Sequence, residues 1–355
     1  MYDLHSLGFG PFFKEQLRDS DAIPARIVAQ HRDGYVVWSS TGESLAQAAG
    51  RLMRALRDEA YPGVGDWVTL KSLPVPGQIA VVDAVLPRRT VFMRGATGQE
   101  TRGQVIAANV DIVFVVSGLD ADYNIRRIER YIARAWASGA EPMVILNKAD
   151  VCDDVDSRVA EVQTASHGLN VLVTSALQSR GLEGVTAYLQ TGITAAFVGS
   201  SGAGKSTLIN ALLGEERFAT QATRADDGRG RHTTSHRELV AFPSGGLLID
   251  TPGMRELLLP DEEGIGTVFT DIEALSTQCR FRDCSHQSEP GCAVREAIER
   301  REISVERLDH YLKLQAEARV FEVRQNERQR RRDERAVGRQ RASAGKLIRR
   351  LKDGQ

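Results

Sequence analysis

Over the first quarter of the chain, apolar and polar positions alternate in short runs. Arg26-Ile-Val28, Tyr35-Val-Val-Trp38, Gly65 to Leu70 and Gln78 to Asp83 are separated by Gly, Pro and Asp. Four or more short strands in so little chain predict a small barrel. An OB-fold and an SH3-like barrel would give much the same pattern, so the expectation is an OB-like barrel over residues 1–97. From about Asn109 the texture changes. Apolar runs (Val110 to Val116, Met143 to Leu146, Val171 to Thr174, Ala195 to Val198, Gly246 to Ile249) alternate with helical stretches at Ile125 to Ser138, Val155 to His167 and Lys205 to Leu213. Mostly apolar strands between helices predict a parallel sheet covered on both faces, an α/β domain over residues 98–258. After Pro260 a Cys/His cluster precedes a run from Val294 to about Leu351 rich in Arg, Glu, Ala and Leu. That run predicts a helical or partly disordered end to a C-terminal region over residues 259–355.

Composition adds little until it is resolved along the chain. The 355 residues, 42% hydrophobic and 26% charged, are those of an ordinary globular protein able to bury several cores. Lys and Arg number 46 against 47 Asp and Glu, a net charge of −1. The stretch from Arg319 to Lys352, however, holds 13 basic residues against 4 acidic ones. The start of the chain shows no cationic leader with an apolar core, and no apolar run approaches membrane-spanning length, so the expectation is a cytoplasmic protein without a membrane partner. Three of the four cysteines crowd beside His286, which suggests a metal rather than disulfides.

Three motifs carry chemistry. Gly199-Ser200-Ser201-Gly202-Ala203-Gly204-Lys205-Ser206, with Thr207 after it, follows an apolar strand and opens a helix, the context a phosphate-binding loop requires. Its N–H groups can curl around phosphate oxygens, Lys205 can reach the β- and γ-phosphates, and the Ser206 hydroxyl can take a Mg²⁺ position. Asp250-Thr-Pro-Gly253 ends another strand, placing Asp250 toward Mg²⁺ and the Gly253 N–H toward a γ-phosphate. Asn147-Lys148-Ala149-Asp150 ends a third. A carboxylate such as Asp150 accepts two hydrogen bonds from guanine, which adenine cannot offer, so the motif specifies the base. Ser175-Ala176 sits where a main-chain N–H can meet the guanine oxygen.

The motif order is anomalous. The base-reading motif at 147 and Ser175-Ala176 precede the phosphate loop at 199, whereas in Ras-like GTPases they follow it. A compact domain tolerates such rearrangement when neighbouring termini are joined and the chain is reopened elsewhere. With these motifs in this order the sequence resembles the RsgA (YjeQ) family, circularly permuted bacterial GTPases that assist maturation of the small ribosomal subunit. The resemblance covers nearly the whole chain and implies a barrel, a permuted GTPase domain and a C-terminal zinc segment. It also implies binding to the 30S subunit and its 16S rRNA in the GTP state and departure after hydrolysis, alongside other 30S assembly factors. A monomer is expected.

The remaining features refine that reading. Cys279, Cys284, His286 and Cys292 can close a tetrahedral Zn²⁺ site with no open position, a structural role, at a pattern where the resembled family carries zinc. Cys152 stands apart and reads as a small buried side chain. Arg224 to Thr234 is polar and Gly-rich, and Gly230-Arg-His-Thr-Thr234 looks like the family's switch motif, with Thr233 or Thr234 completing the Mg²⁺ shell. Met254 stands where Ras-like enzymes carry a water-orienting glutamine. Methionine cannot do this, which leaves His232 as the candidate and implies slow hydrolysis unless the subunit assists. Arg328 to Arg332 and Arg335 to Arg350 suit an rRNA surface. The rival readings are an RNA-binding module that hardly turns over its nucleotide and a P-loop small-molecule kinase, against which Asn147 to Asp150 argues.

Overall fold

The computed structural model describes residues 2–17, 19, 21–31, 34–55, 61–94, 104–166, 168–218, 237–250 and 262–319. They divide into two compact units, Met1–Glu273 and Ala274–Gln355.

The first unit begins with a short helix, α1 (Pro11–Lys14), and a five-stranded barrel. β1 (Ile23–His31), β2 (Gly34–Ser39) and β3 (Gly42–Ala48) form an antiparallel meander. After α2 (Gly50–Ala55), β4 (Trp67–Leu70) pairs antiparallel with both β1 and β5 (Ala80–Val85), and β5 runs parallel to β3. The closed ring β1-β2-β3-β5-β4 is an OB-type barrel, so the SH3-like alternative falls away. Alternation along the strands turns Ala25, Ile27, Tyr35, Val37, Ala46, Val68, Leu70, Ala80 and Val82 into one core. Outside it, Leu7 and Phe13 of the N-terminal segment pack with Trp67 and Leu86.

Next comes a hairpin of β6 (Val91–Arg94) and β7 (Gln104–Ala108), and then the central sheet. β8 (Ile112–Gly118), β9 (Glu141–Asn147), β10 (Val171–Val173), β11 (Thr194–Val198), β12 (Arg237–Ala241) and β13 (Leu247–Asp250) lie in the order β10-β9-β8-β11-β13-β12. All pair parallel except β12, which is antiparallel to β13. The expectation of a parallel sheet thus gains an antiparallel strand, Arg-Glu-Leu-Val-Ala, whose first two residues are charged. β8 is buried at every position, as expected of a strand covered on both faces.

The barrel and this sheet are continuous. A register shift in β1 between Ile27 and Ala29 bends the strand, and beyond it Ala29 and Gln30 pair with Glu238 and Arg237 of β12. Nearby, the guanidinium of Arg26, 1% exposed, donates to the carbonyls of Leu7, Gly65 and Asn109, at 2.5, 3.3 and 3.2 Å. One side chain thereby ties the N-terminal segment, the barrel and the entry to β8. Burial of this cation lowers its pKa to about 10.

Helices α3 (Ile125–Ala137), α4 (Val155–Ala165), α5 (Leu182–Thr186) and α6 (Lys205–Leu213) connect the strands, and α3 packs against a further helix at Glu262–Val268. α3 starts where Asn124 caps it, its Oδ1 accepting from the Arg127 N–H at 3.0 Å. The second unit contains a helix at Ala293–Glu299 and another over residues 305–319. The helical run expected from Val294 is broken by Arg301, in the left-handed region at φ 60°. Among the described residues no helix is long and apolar enough to cross a membrane.

Candidate nucleotide site and metal centre

Of the sequence-predicted segments, Asn147 to Asp150, Ser175-Ala176 and Gly199 to Ser206 follow the C-terminal ends of β9, β10 and β11, and Asp250 ends β13, on the border where open α/β sheets bind ligands. β11 ends at Val198 and the chain turns through Gly199, whose φ is 147°. A Cβ there would lie 2.1 Å from the Val116 carbonyl oxygen, so only glycine lets the loop cross β8 so closely. At Gly204, φ 88°, a Cβ would strike Asn147 Nδ2 at 2.3 Å. The first bond of α6 runs from the Leu208 N–H to the Gly204 carbonyl at 2.9 Å, so the N–H groups of Lys205, Ser206 and Thr207 form the open end of the helix. Lys205 Nζ folds back over the loop onto the carbonyls of Gly199 (3.0 Å) and Ser200 (2.5 Å).

Asn147 joins this loop to the base-reading segment. The side chain is 1% exposed. Its Nδ2 donates to the Ala203 carbonyl at 3.0 Å, while its Oδ1 accepts from the Ala176 N–H and from Thr174 Oγ1, both at 3.0 Å. The Ser175 N–H is paired with the Arg180 carbonyl at 3.0 Å, so both N–H groups of Ser175-Ala176 are engaged inside the protein and the pair buttresses Asn147. Lys148, in the left-handed region at φ 65°, passes Gly204 and ends on Asp120 Oδ2 at 2.5 Å. That ammonium is the main reason the Asp120 carboxyl lies below its ordinary pKa. Asp150 is the middle residue of a 3-10 turn (Ala149–Val151), and its Oδ1 accepts from Ser175 Oγ at 2.5 Å. This bond above all, with the charges of Arg180 and Lys148, keeps the Asp150 carboxyl low and ionised. An ionised acceptor is what the base-reading role requires.

Asp250 is the last residue of β13, opposite Glu238 on β12; its side chain lies outside the described residues. Outside them too lie His232, Thr233, Thr234, Gly253, Met254 and the basic segment beyond Arg319.

Sequence reasoning missed the loop after β8. Asp120 holds Lys148, and Asp122 accepts from Ser200 Oγ and from Arg127, the latter at 2.8 Å. Thr174 and Arg180 were missed as well. No motif marks these four, but two aspartates directly beyond a parallel strand's C-terminal end were a positional signal.

In the second unit Cys279, Cys284, His286 and Cys292 bring their ligand atoms within 4.8 Å of one another. His286 Nδ1 lies 3.4 Å from Cys292 Sγ and 3.6 Å from Cys279 Sγ, and those two sulfurs are 3.9 Å apart. A tetrahedron with Zn–S of about 2.3 Å and Zn–N of about 2.0 Å has edges of about 3.8 and 3.5 Å, so the donors of Cys279, His286 and Cys292 stand at tetrahedral separations, with the Cys284 sulfur within 4.8 Å of each. The loop that presents His286, at φ 59°, is drawn together by Glu289. The Glu289 carboxylate accepts from the N–H groups of Ser285, Gln287 and Ser288 and from Ser285 Oγ, at 2.5 to 3.1 Å, which brings its pKa down to about 2. Cys152 is only half-buried and takes no part in the group.

Comparison with known proteins agrees with this arrangement. The family model described as RsgA GTPase matches residues 85–260. Small ribosomal subunit biogenesis GTPase RsgA 2 of Lactiplantibacillus plantarum is 46% identical over 301 residues, 84% of each chain. Small ribosomal subunit biogenesis GTPase RsgA of Opitutus terrae is 45% identical over 327 residues, 88% of this chain and 89% of that one. The corresponding protein of Xylella fastidiosa is 47% identical over 306 residues, 84% of this chain and 86% of that one. Among solved structures, YjeQ from Thermotoga maritima superposes with a TM-score of 0.63 at 28% identity, covering 84% of this chain and 98% of that one. YloQ, described as a circularly permuted GTPase, superposes at 0.61, shares 23% of its residues and supports the fold alone. On its identity to full-length relatives and its permuted motif order, the chain belongs to the RsgA GTPase family.

Proposed function

We propose that this protein hydrolyses GTP in the late maturation of the small ribosomal subunit, binding the 30S particle and its 16S rRNA in the GTP state and leaving once GDP forms. The observation that carries the nucleotide chemistry is Asn147, which binds Ala203 of the phosphate loop and Ala176 of the base-side loop at the same time. Phosphate-binding and base-reading parts from distant stretches of chain thereby become one site. The ribosomal role is carried by relatives at 45 to 47% identity that are named for it.

In this reading Asp150 reads the guanine edge, and the loop Gly199 to Gly204 with the N–H groups of Lys205, Ser206 and Thr207 cradles the phosphates. Lys205 leaves its carbonyl partners for the β- and γ-phosphate oxygens. Ser206, Asp250 and Thr233 or Thr234 hold Mg²⁺, which neutralises charge developing on the phosphates. His232 orients the water that attacks the γ-phosphorus as the β–γ bridging bond breaks, giving GDP and inorganic phosphate. The Cys₃His group holds one structural Zn²⁺. The basic residues beyond Arg319 meet rRNA phosphates. The protein acts as a cytoplasmic monomer, in exchange with other 30S assembly factors.

A GTPase assay combined with co-sedimentation against purified 30S and 50S subunits tests this. The expectation is slow hydrolysis alone, stimulation by 30S and not by 50S, and sedimentation with 30S when a non-hydrolysable GTP analogue is present. Preference for ATP, or binding to 30S without stimulated turnover, would refute it in favour of a kinase or a nucleotide-regulated RNA-binding module respectively.

A further inference from the structure

The loop between β8 and α3, Leu119 to Asn124, touches both ends of the nucleotide site. It carries two aspartates two residues apart, and each is committed to a different motif. Asp120 binds Lys148 Nζ at 2.5 Å on the base side. Asp122 accepts a hydrogen bond from Ser200 Oγ in the phosphate loop. The loop is itself pinned. The Leu119 N–H donates to the Asn147 carbonyl at 2.8 Å, the Tyr123 N–H to the Asp120 carbonyl at 2.9 Å, and the Asp122 N–H to Asp120 Oδ1 at 3.2 Å. Arg127, on the first turn of α3, binds Asp122 Oδ1 at 2.8 Å and also the Asp122 carbonyl.

A carboxylate beside a phosphate-binding loop needs explaining, because an unbalanced negative charge there would repel the substrate. Arg127 supplies the balance. The pair is close to neutral, and Asp122 retains the strong acceptor that a hydroxyl donor seeks. The hydroxyl of Ser200 is spent on Asp122, which braces the loop from its outer side.

We propose that Asp122 is a positioning residue for GTP and GDP: through Ser200 it holds the phosphate loop in its binding shape before nucleotide arrives. Asp120 does the same for the base side through Lys148, so this one short loop sets the distance between the two halves of the site. The proposal rests on the nucleotide assignment of the site.

The test uses the full chain and fluorescent mant-GTP and mant-GDP. Wild type, Asp122→Ala, Ser200→Ala and the double variant are compared for nucleotide Kd, for KM and kcat of hydrolysis, and for melting temperature without nucleotide. Asp122→Ala and Ser200→Ala should each weaken both nucleotides about tenfold, the low end for loss of a hydrogen bond to a charged group, with kcat within about twofold. The double variant should be no worse than either single one, because both remove the same contact. Ser200→Ala deletes a single oxygen and keeps the loop backbone, so it answers the question even if Asp122→Ala does not fold. Effects that multiply in the double variant, a Kd unchanged in Ser200→Ala, or losses matched by a fallen nucleotide-free melting temperature would overturn the proposal. Failure of the wild type to bind either probe would instead refute the nucleotide assignment.

Discussion

Asn147→Ala should damage the protein well before any nucleotide is added. The substitution leaves three polar groups without their partner: the Ala203 carbonyl, the Ala176 N–H and the Thr174 hydroxyl, each now at 3.0 Å from the amide. The hydroxyl can rotate to another acceptor. The two main-chain groups cannot, and the position is 1% exposed, so water does not replace the amide without rearrangement. An orphaned buried group costs about 1–3 kcal/mol, which for two gives a loss of about 2–6 kcal/mol for the variant. Against the 5–15 kcal/mol typical of a domain's whole stability that is a large fraction. Asn147→Asp keeps the acceptor but turns a carboxylate oxygen toward the Ala203 carbonyl, and should be no better tolerated. Urea unfolding followed by tryptophan fluorescence is a suitable assay, because Trp38, Trp67 and Trp136 all lie in the first unit. An Asn147→Ala midpoint equivalent to less than about 0.5 kcal/mol from wild type would refute the view that this side chain is the joint between the two loops.

Four further outcomes are expected. Asp150→Asn exchanges a double acceptor for a group that can donate to the 2-oxo group of xanthine, so it should lose GTP and gain XTP in competition binding. The protein purified without chelator should hold one Zn²⁺ per chain by metal analysis, and Cys284→Ala or His286→Ala should lose both the metal and the helical order of the second unit on circular dichroism. Deleting residues 328–355 should weaken co-sedimentation with 30S and flatten its dependence on salt concentration while leaving GTP affinity intact; equal salt slopes would exclude the segment as a phosphate contact. His232→Ala should leave nucleotide and subunit binding nearly unchanged and cut 30S-stimulated hydrolysis by roughly 10²-fold, the low end for loss of a water-positioning group, whereas a rate within a few-fold of wild type places that group elsewhere.

What the sequence made legible was whatever local chemistry compels. A strand, a glycine loop and a lysine cannot easily be anything but a phosphate site, and Lys205 to Leu213 is helical as its periodicity requires. The Asn147 to Asp150 segment and the Cys/His group that could hold a metal ion were equally easy to single out, since their residue types and spacing are distinctive in themselves. Three features were not legible. β12 carries only a short apolar run, Leu239 to Ala241, after two charged residues, and nothing local marks it as a strand that meets the sheet antiparallel and next to the barrel. β3, Gly-Glu-Ser-Leu-Ala-Gln-Ala, buries mainly Ala46 and otherwise reads as a polar turn. Asp120 and Asp122 lie in a plain polar loop, and only the fold brings Lys148 and Ser200 to them across 28 and 78 residues of chain. Contacts made through tertiary structure leave no periodic trace.

The pairing of β1 with β12 also governs how the chain can be divided. Main-chain groups at Glu238 and Arg237 find their partners in Ala29 and Gln30, so the first protein domain in the chain caps the outer border of the sheet that carries the nucleotide site. A fragment that starts after the barrel would present that border as a bare β edge, a template on which another chain can add a strand. The nucleotide-binding core freed of its barrel is therefore expected to self-associate even if its own interior packs correctly. The barrel serves as an edge guard, whatever else it binds, and functional comparisons with barrel-less fragments need to separate lost contacts from the stickiness of the uncovered strand.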